Sequence, residues 1–192
     1  MVSIFLNKLR DFLYTFFEKY ASDIPAIANR YINYHKTLIN NEIKLASISS
    51  GDVVLHMGCG AIPATSVLFV QSTGACVIGI DNDAKAVIKS SSFITKNKLS
   101  DKIKIKYSDA LNYPLNDMDV IIVSRGVQKT KSLLNHISEQ AKQNARVILR
   151  IANDSKIIKK IEEQLKSTPL IKLQTCISYG TTSSILLVKN DH

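Results

Sequence analysis

The sequence predicts an α/β fold: a Rossmann-like sandwich whose mostly parallel, seven-stranded sheet ends in an antiparallel hairpin and is preceded by N-terminal helices. Three observations predict it. Short apolar runs at 53–57, 76–80, 103–107, 120–123 and 147–151 alternate with stretches of helical period, the rhythm of parallel strands covered on both faces. The first run passes into a helix through Gly58-Cys59-Gly60, and the second ends on Asp81. The last two β-like segments, 171–178 and 184–189, are separated by Tyr179-Gly180-Thr181-Thr182, too short for a crossover helix, so they pair as a hairpin.

The elements follow in order. Phe5, Leu9, Phe12 and Phe16, with Leu6, Leu13 and Phe17 beside them, recur at helical spacing and predict an amphipathic first helix whose apolar stripe docks on the main domain, the alternative being a membrane surface, which its almost balanced charge disfavours. Ser22-Asp23-Ile24-Pro25 breaks it and opens a second helix, with Pro25 in the first turn, where a missing N–H is tolerated. That helix is expected to reach Ala46. Together they form a helical appendage, residues 1–50, ahead of a ligand-binding domain, residues 51–192. Further helices are expected at 64–71, 84–97, 131–143 and 155–166, with no internal repeat or low-complexity linker.

Composition bounds the function. A chain of 192 residues with 45% hydrophobic content buries a full core, which excludes a disordered chain. Twenty-five basic against sixteen acidic residues give a net charge of +9 and favour encounters with polyanions. Seven lysines between Lys85 and Lys106 could form a nucleic-acid stripe, but a solvated helix face explains them more simply. Nucleic acid is a possible partner and not the favoured one. Cys59, Cys76 and Cys176 are odd in number and lack close pairing, which suits a reducing, cytoplasmic setting. The four histidines show no spacing with cysteine or carboxylate that would build a metal site. Lys8, Arg10, Asp11, Glu18 and Lys19 interrupt the apolar N-terminus, so neither a signal peptide nor stable membrane insertion is expected.

The chemistry is concentrated after the first strand. Gly58 and Gly60 permit a tight turn that exposes backbone to a ligand, and a carboxylate about 20 residues further on accepts hydrogen bonds from ribose hydroxyls. Pro63 stands where a dinucleotide site places a third glycine, which argues against NAD and favours a nucleoside ligand without phosphate, S-adenosylmethionine. Asp81 is expected to hold the ribose, with Asn82 beside it. Either Asp81 or Asp83 could instead cap the helix from Ala84, and Asp83 suits the cap better. Asp109, before Ala110 at the end of the third strand, reads as a ligand contact or a turn residue. Ser124 and Arg125 end the fourth strand and should line the crevice beside the glycines. Arg125 is placed to grip a carboxylate or to sit on the surface.

Gly58-Cys59-Gly60-Ala61-Ile62-Pro63-Ala64-Thr65-Ser66 resembles the Gly-x-Gly-x-x-Pro-x-Thr-Ser stretch of the nicotianamine synthase family. Tyr31-Ile32-Asn33-Tyr34, Leu38 and Asn41-Glu42 are similar to that family's preceding helix. Leu149-Arg150-Ile151-Ala152 and Thr182-Ser183-Ser184-Ile185-Leu186 are similar to its late strands, so the likeness spans residues 31–189. The resemblance implies a class I methyltransferase fold, with Asp109 and Ala110 near the adenine and Gly58, Gly60, Asp81, Asn82 and Ser124 as cofactor contacts. It also implies transfer of the 3-amino-3-carboxypropyl group of S-adenosylmethionine to the amine of a small molecule or amino acid, leaving methylthioadenosine.

Tyr31, Tyr34, Leu38 and Glu42 share one helical face. Tyr34 and Glu42 are the expected catalytic pair, orienting and deprotonating an amine, the alternative being a packed stripe with Glu42 on a solvated rim. Only 57 residues precede Gly58, fewer than the family's enclosing helical region. The pocket is therefore expected to be open, remodelled or completed by a second subunit in a homodimer. Methyl transfer to a small molecule or RNA, and a non-catalytic S-adenosylmethionine-binding module, are the competing readings.

Overall fold

Pro25 opens the first described helix, α1 (Pro25–Leu45), at a first-turn position; the computed structural model describes residues 24–127, 130–166, 168 and 171–189. The amphipathic helix expected within the first twenty residues lies outside them. After α1 come β1 (Val53–Met57), α2 (Ala64–Thr73), β2 (Cys76–Asp81), α3 (Ala84–Lys96), β3 (Ile103–Tyr107) and β4 (Val120–Val123). The chain continues through α4 (Thr130–Gln140), β5 (Arg146–Ala152), α5 (Ser155–Lys166), β6 (Ile171–Tyr179) and β7 (Thr182–Lys189).

The seven strands form one sheet in the order β3-β2-β1-β4-β5-β7-β6. β1 to β5 pair in parallel, and β7 runs antiparallel to both β5 and β6. The hairpin is tighter than the sequence reading had it. Tyr179 pairs with Thr182, which leaves only Gly180 and Thr181 in the loop. From β1 the chain winds outward to β2 and β3, then returns to lay β4 against the other side of β1. That reversal opens a crevice at the carboxyl ends of β1 and β4, where open α/β sheets bind ligands.

Strand alternation divides the core into two layers. Val54 and Ile122 face a cluster holding Ile39 of α1 and Phe69 of α2. Leu55 and Ile121 face another, holding Leu133 and Ile137 of α4 and Ile161 and Leu165 of α5. Parallel strands covered on both faces read as unbroken apolar runs, and all four β4 residues are buried. Helix α1 shares the first cluster through Ala28, Ile32 and Ile39. Its C-terminal end is tied to the sheet by Arg146, which donates to the carbonyls of Ala46 and Ser47 at 2.8 and 3.0 Å and pairs with Asp52.

Candidate active site

The turn after β1 is held open by two glycines in the left-handed region, Gly58 at φ +75° and Gly60 at φ +69°. Only glycine takes that conformation at no steric cost. A Cβ on Gly58 would also lie 3.0 Å from Val127 and 3.3 Å from Ser124. The amides of Gly58 and Cys59 donate to the Ile80 carbonyl at 2.9 and 3.1 Å, which folds the loop onto the end of β2.

Asp81 has two tasks. Its Oδ2 accepts the Gly60 amide and its Oδ1 the Asp83 amide, both at 2.9 Å. A carboxylate offers about four acceptor positions, so each oxygen keeps capacity for a sugar hydroxyl. The helix-cap alternative resolves in favour of Asp83, whose Oδ1 accepts from Lys85 and Ala86 at the start of α3. Pro63 occupies the N-cap of α2 and contributes no amide to the loop.

A cleft of about 620 Å³ gathers the expected residues. Gly58, Gly60, Asp81, Asn82, Asp109, Ala110, Ser124, Arg125 and Tyr34 all line it, together with Tyr31, His35 and Leu38 of α1 and Tyr179, Thr181 and Thr182 of the hairpin. Asp109 also serves as a turn residue, its Oδ1 accepting the Leu111 amide at 2.9 Å. Arg125 leans toward the hairpin, its Nη1 3.4 Å from the Thr181 carbonyl oxygen. Ser124 is held by His56, whose Nε2 is 2.9 Å from its Oγ and whose Nδ1 is 3.1 Å from Ser66 Oγ. Complete burial, with the Arg150 cation adding to it, pushes the His56 pKa well below the ordinary imidazole value. His56 therefore positions the Ser124 hydroxyl as a neutral ring. Nothing in the local sequence marked it, because a lone histidine in an apolar strand carries no spacing signal.

Glu42 is the correction. It is fully buried, not on a solvated rim, and it does not line the cleft. Arg150 grips it with two bonds, Nε to Oε1 at 2.8 Å and Nη2 to Oε2 at 2.6 Å, and Ser184 donates to Oε1 at 2.6 Å. Arg150 Nη1 donates to Thr65 Oγ1 at 2.9 Å. A carboxylate so engaged is no free base for an amine. It anchors α1 to α2, β5 and β7, and each member of this network sits in one of the separate segments that carried the family resemblance. Tyr34, by contrast, is 61% exposed on the cleft side of α1.

Within the basic stretch, Lys102 donates to the Gly74 carbonyl and Lys106 to the Tyr113 hydroxyl. Among the described residues no group of three or more His, Cys, Asp or Glu is gathered to hold a metal. No described helix is long and apolar enough to cross a membrane.

A sequence model of a family described as a methyltransferase domain matches residues 48–186. The L-histidine 2-aminobutanoyltransferase of Yersinia pestis is 28% identical over 130 residues, which is 67% of this chain and 48% of that protein. The chain thus spans about half that relative's length. Among solved structures, a candidate S-adenosyl-L-methionine-dependent methyltransferase from Methanococcus maripaludis superposes with a TM-score of 0.78 at 15% identity, covering 93% of this chain and 94% of that one. A mutant of MtNAS in complex with S-adenosylmethionine gives 0.69 at 17% identity, covering 81% of this chain and 61% of that one. At such identities these two structures share the fold.

Proposed function

We propose, on the premise that this chain belongs to the methyltransferase-domain family, that it is an S-adenosylmethionine-dependent transferase that moves the 3-amino-3-carboxypropyl group onto the amine of a small amino acid. The residues fit that cofactor. Gly58 presents bare backbone where a Cβ would collide, Asp81 keeps acceptor positions for a ribose, and Pro63 offers no amide to a pyrophosphate. Asp109 and Ala110 flank the adenine side, and Ser124, steadied by His56, the methionine side. When bound, S-adenosylmethionine supplies a sulfonium whose three attached carbons are all activated, and the carbon in line with the nucleophile at about 3–3.5 Å reacts. The protein selects among them by where it seats the acceptor.

The observation that carries this reading is that α1 and the glycine loop line one cleft and are joined by the buried Glu42 and by Arg150 and Thr65, which themselves line it. A wall fixed in that way holds an acceptor in one direction relative to the cofactor. Tyr34 lies on it, exposed and able to hydrogen-bond the acceptor. The likeness to an L-histidine 2-aminobutanoyltransferase over 130 residues supports transfer to an amine ahead of methyl transfer, and the spacing of the cysteines in the sequence suits a reducing cytoplasm. The test is product identity: incubation with S-adenosylmethionine and L-histidine, then a panel of other amino acids, should release methylthioadenosine. Release of S-adenosylhomocysteine would make the protein a methyltransferase instead. Tight cofactor binding without turnover of any acceptor would make it a binding module.

A further inference from the structure

His35 was not among the residues singled out from the sequence, yet it lines the cleft beside Tyr34 and Leu38. Its Nδ1 lies 2.9 Å from the Tyr31 carbonyl oxygen. A carbonyl can only accept, so Nδ1 carries the proton and Nε2 is left with a lone pair. Nε2 makes no hydrogen bond among the described residues. The ring is fixed by Tyr31 at 4.4 Å and by the edge of Tyr34 at 5.3 Å between centroids.

We propose that Nε2 of His35 accepts an N–H hydrogen bond from the acceptor amine and so aims the amine lone pair at the reacting carbon. This rests on the transfer reading above. Burial first, and then the Arg150 cation of β5, outweigh the Glu42 carboxylate of α1 and hold the ring pKa at about 4. So low a value makes His35 a poor proton carrier at neutral pH, but a constant acceptor. Burial and the Arg150 cation act in the same direction on an amine placed there, favouring the neutral, nucleophilic form. No strong base is demanded in the bond-forming step. The N–C bond forms as the C–S bond breaks with its electron pair going to sulfur, and the resulting secondary ammonium then gives its extra proton to water.

Nitrogen-15 NMR of the labelled protein provides a test apart from turnover. The ring signals missing from His35→Asn should report the Nδ1–H tautomer from pH 5.5 to 8, and unlabelled L-histidine should shift the Nε2 resonance. In turnover, His35→Asn should lower kcat about 100-fold, as a displaced reactant does, with little change in KM for S-adenosylmethionine. His35→Gln, which can present its carbonyl near the Nε2 position, should recover part of the loss. An Nε2–H tautomer, or wild-type kcat in His35→Asn, overturns the assignment. If the wild-type protein makes no methylthioadenosine while L-histidine still shifts Nε2, the transfer reading fails and the amine contact stands. If methylthioadenosine forms and Nε2 does not respond, the transfer reading stands and the contact falls.

Discussion

At the scale of single residues, a few side chains that line the cleft also hold its loops in place. Asp81 is the clearest case, because its oxygens already hold the amides of Gly60 and Asp83. Asp81→Asn replaces one acceptor with an NH₂ donor that faces a backbone N–H. The variant should lose about 1–3 kcal/mol of stability, the cost of an unsatisfied donor, besides at least about tenfold in cofactor affinity, the equivalent of one hydrogen bond to a charged group. Urea denaturation and calorimetric titration with S-adenosylmethionine measure the two effects separately. Loss of affinity with unchanged stability would show that the loop does not rely on Asp81. Gly58→Ala is the companion case. A Cβ at φ +75°, 3.0 Å from Val127 and 3.3 Å from Ser124, strains the turn by about 1–3 kcal/mol and crowds the cleft at Ser124, so cofactor binding should weaken even if the fold survives.

At the scale of elements, Glu42 and Arg150 decide whether α1 is a wall or merely a neighbour. Removing one partner of a buried, two-pronged ion pair strands the other charge, which costs about 3–5 kcal/mol. Glu42→Gln and Arg150→Met should each be destabilising by that order. Their combination should cost less than the sum, a non-additivity read by a double-mutant cycle in urea; strict additivity would mean that the two do not act as a pair. Thr65→Val should cost about 1 kcal/mol by removing one hydrogen bond. This network also marks the limit of what the sequence could reveal. Helical spacing correctly put Glu42 on a face with Leu38, but its partner Arg150 lies 108 positions away, and no local pattern says which distant cation will meet a carboxylate. The strands, the glycine turn and Asp81 were legible because period, turn chemistry and strand ends are local properties. The separate roles of His35 and His56 were not, since each depends on packing between elements remote in the chain.

At the scale of the whole molecule, the two histidines couple the site to acid stability through a common cause. Both are held neutral first by burial and then by the Arg150 cation, His35 at about 4 and His56 well below its ordinary value of 6.5. Between pH 6.5 and about 4 the unfolded chain therefore binds protons that the folded protein refuses, and stability falls as the pH is lowered through that window. Asp119 extends the trend. The Lys142 and Val53 hydrogen bonds outweigh its burial and pull its pKa below 3.8, so its stabilising contribution is present above that value and is lost on further acidification. Thermal melts from pH 8 to 3.5 should show Tm nearly level down to about 6.5 and then declining steeply. His56→Gln, which cannot take up a proton in the unfolded chain, should flatten the upper part of that decline while lowering Tm at pH 8 through lost bonds to Ser66 and Ser124. A decline equally steep without His56 would place the titrating groups elsewhere. Cofactor affinity of the molecules that remain folded should fall less steeply than Tm through that window, because His56 stays neutral in the fold and keeps its bond to the Ser124 hydroxyl in the cleft.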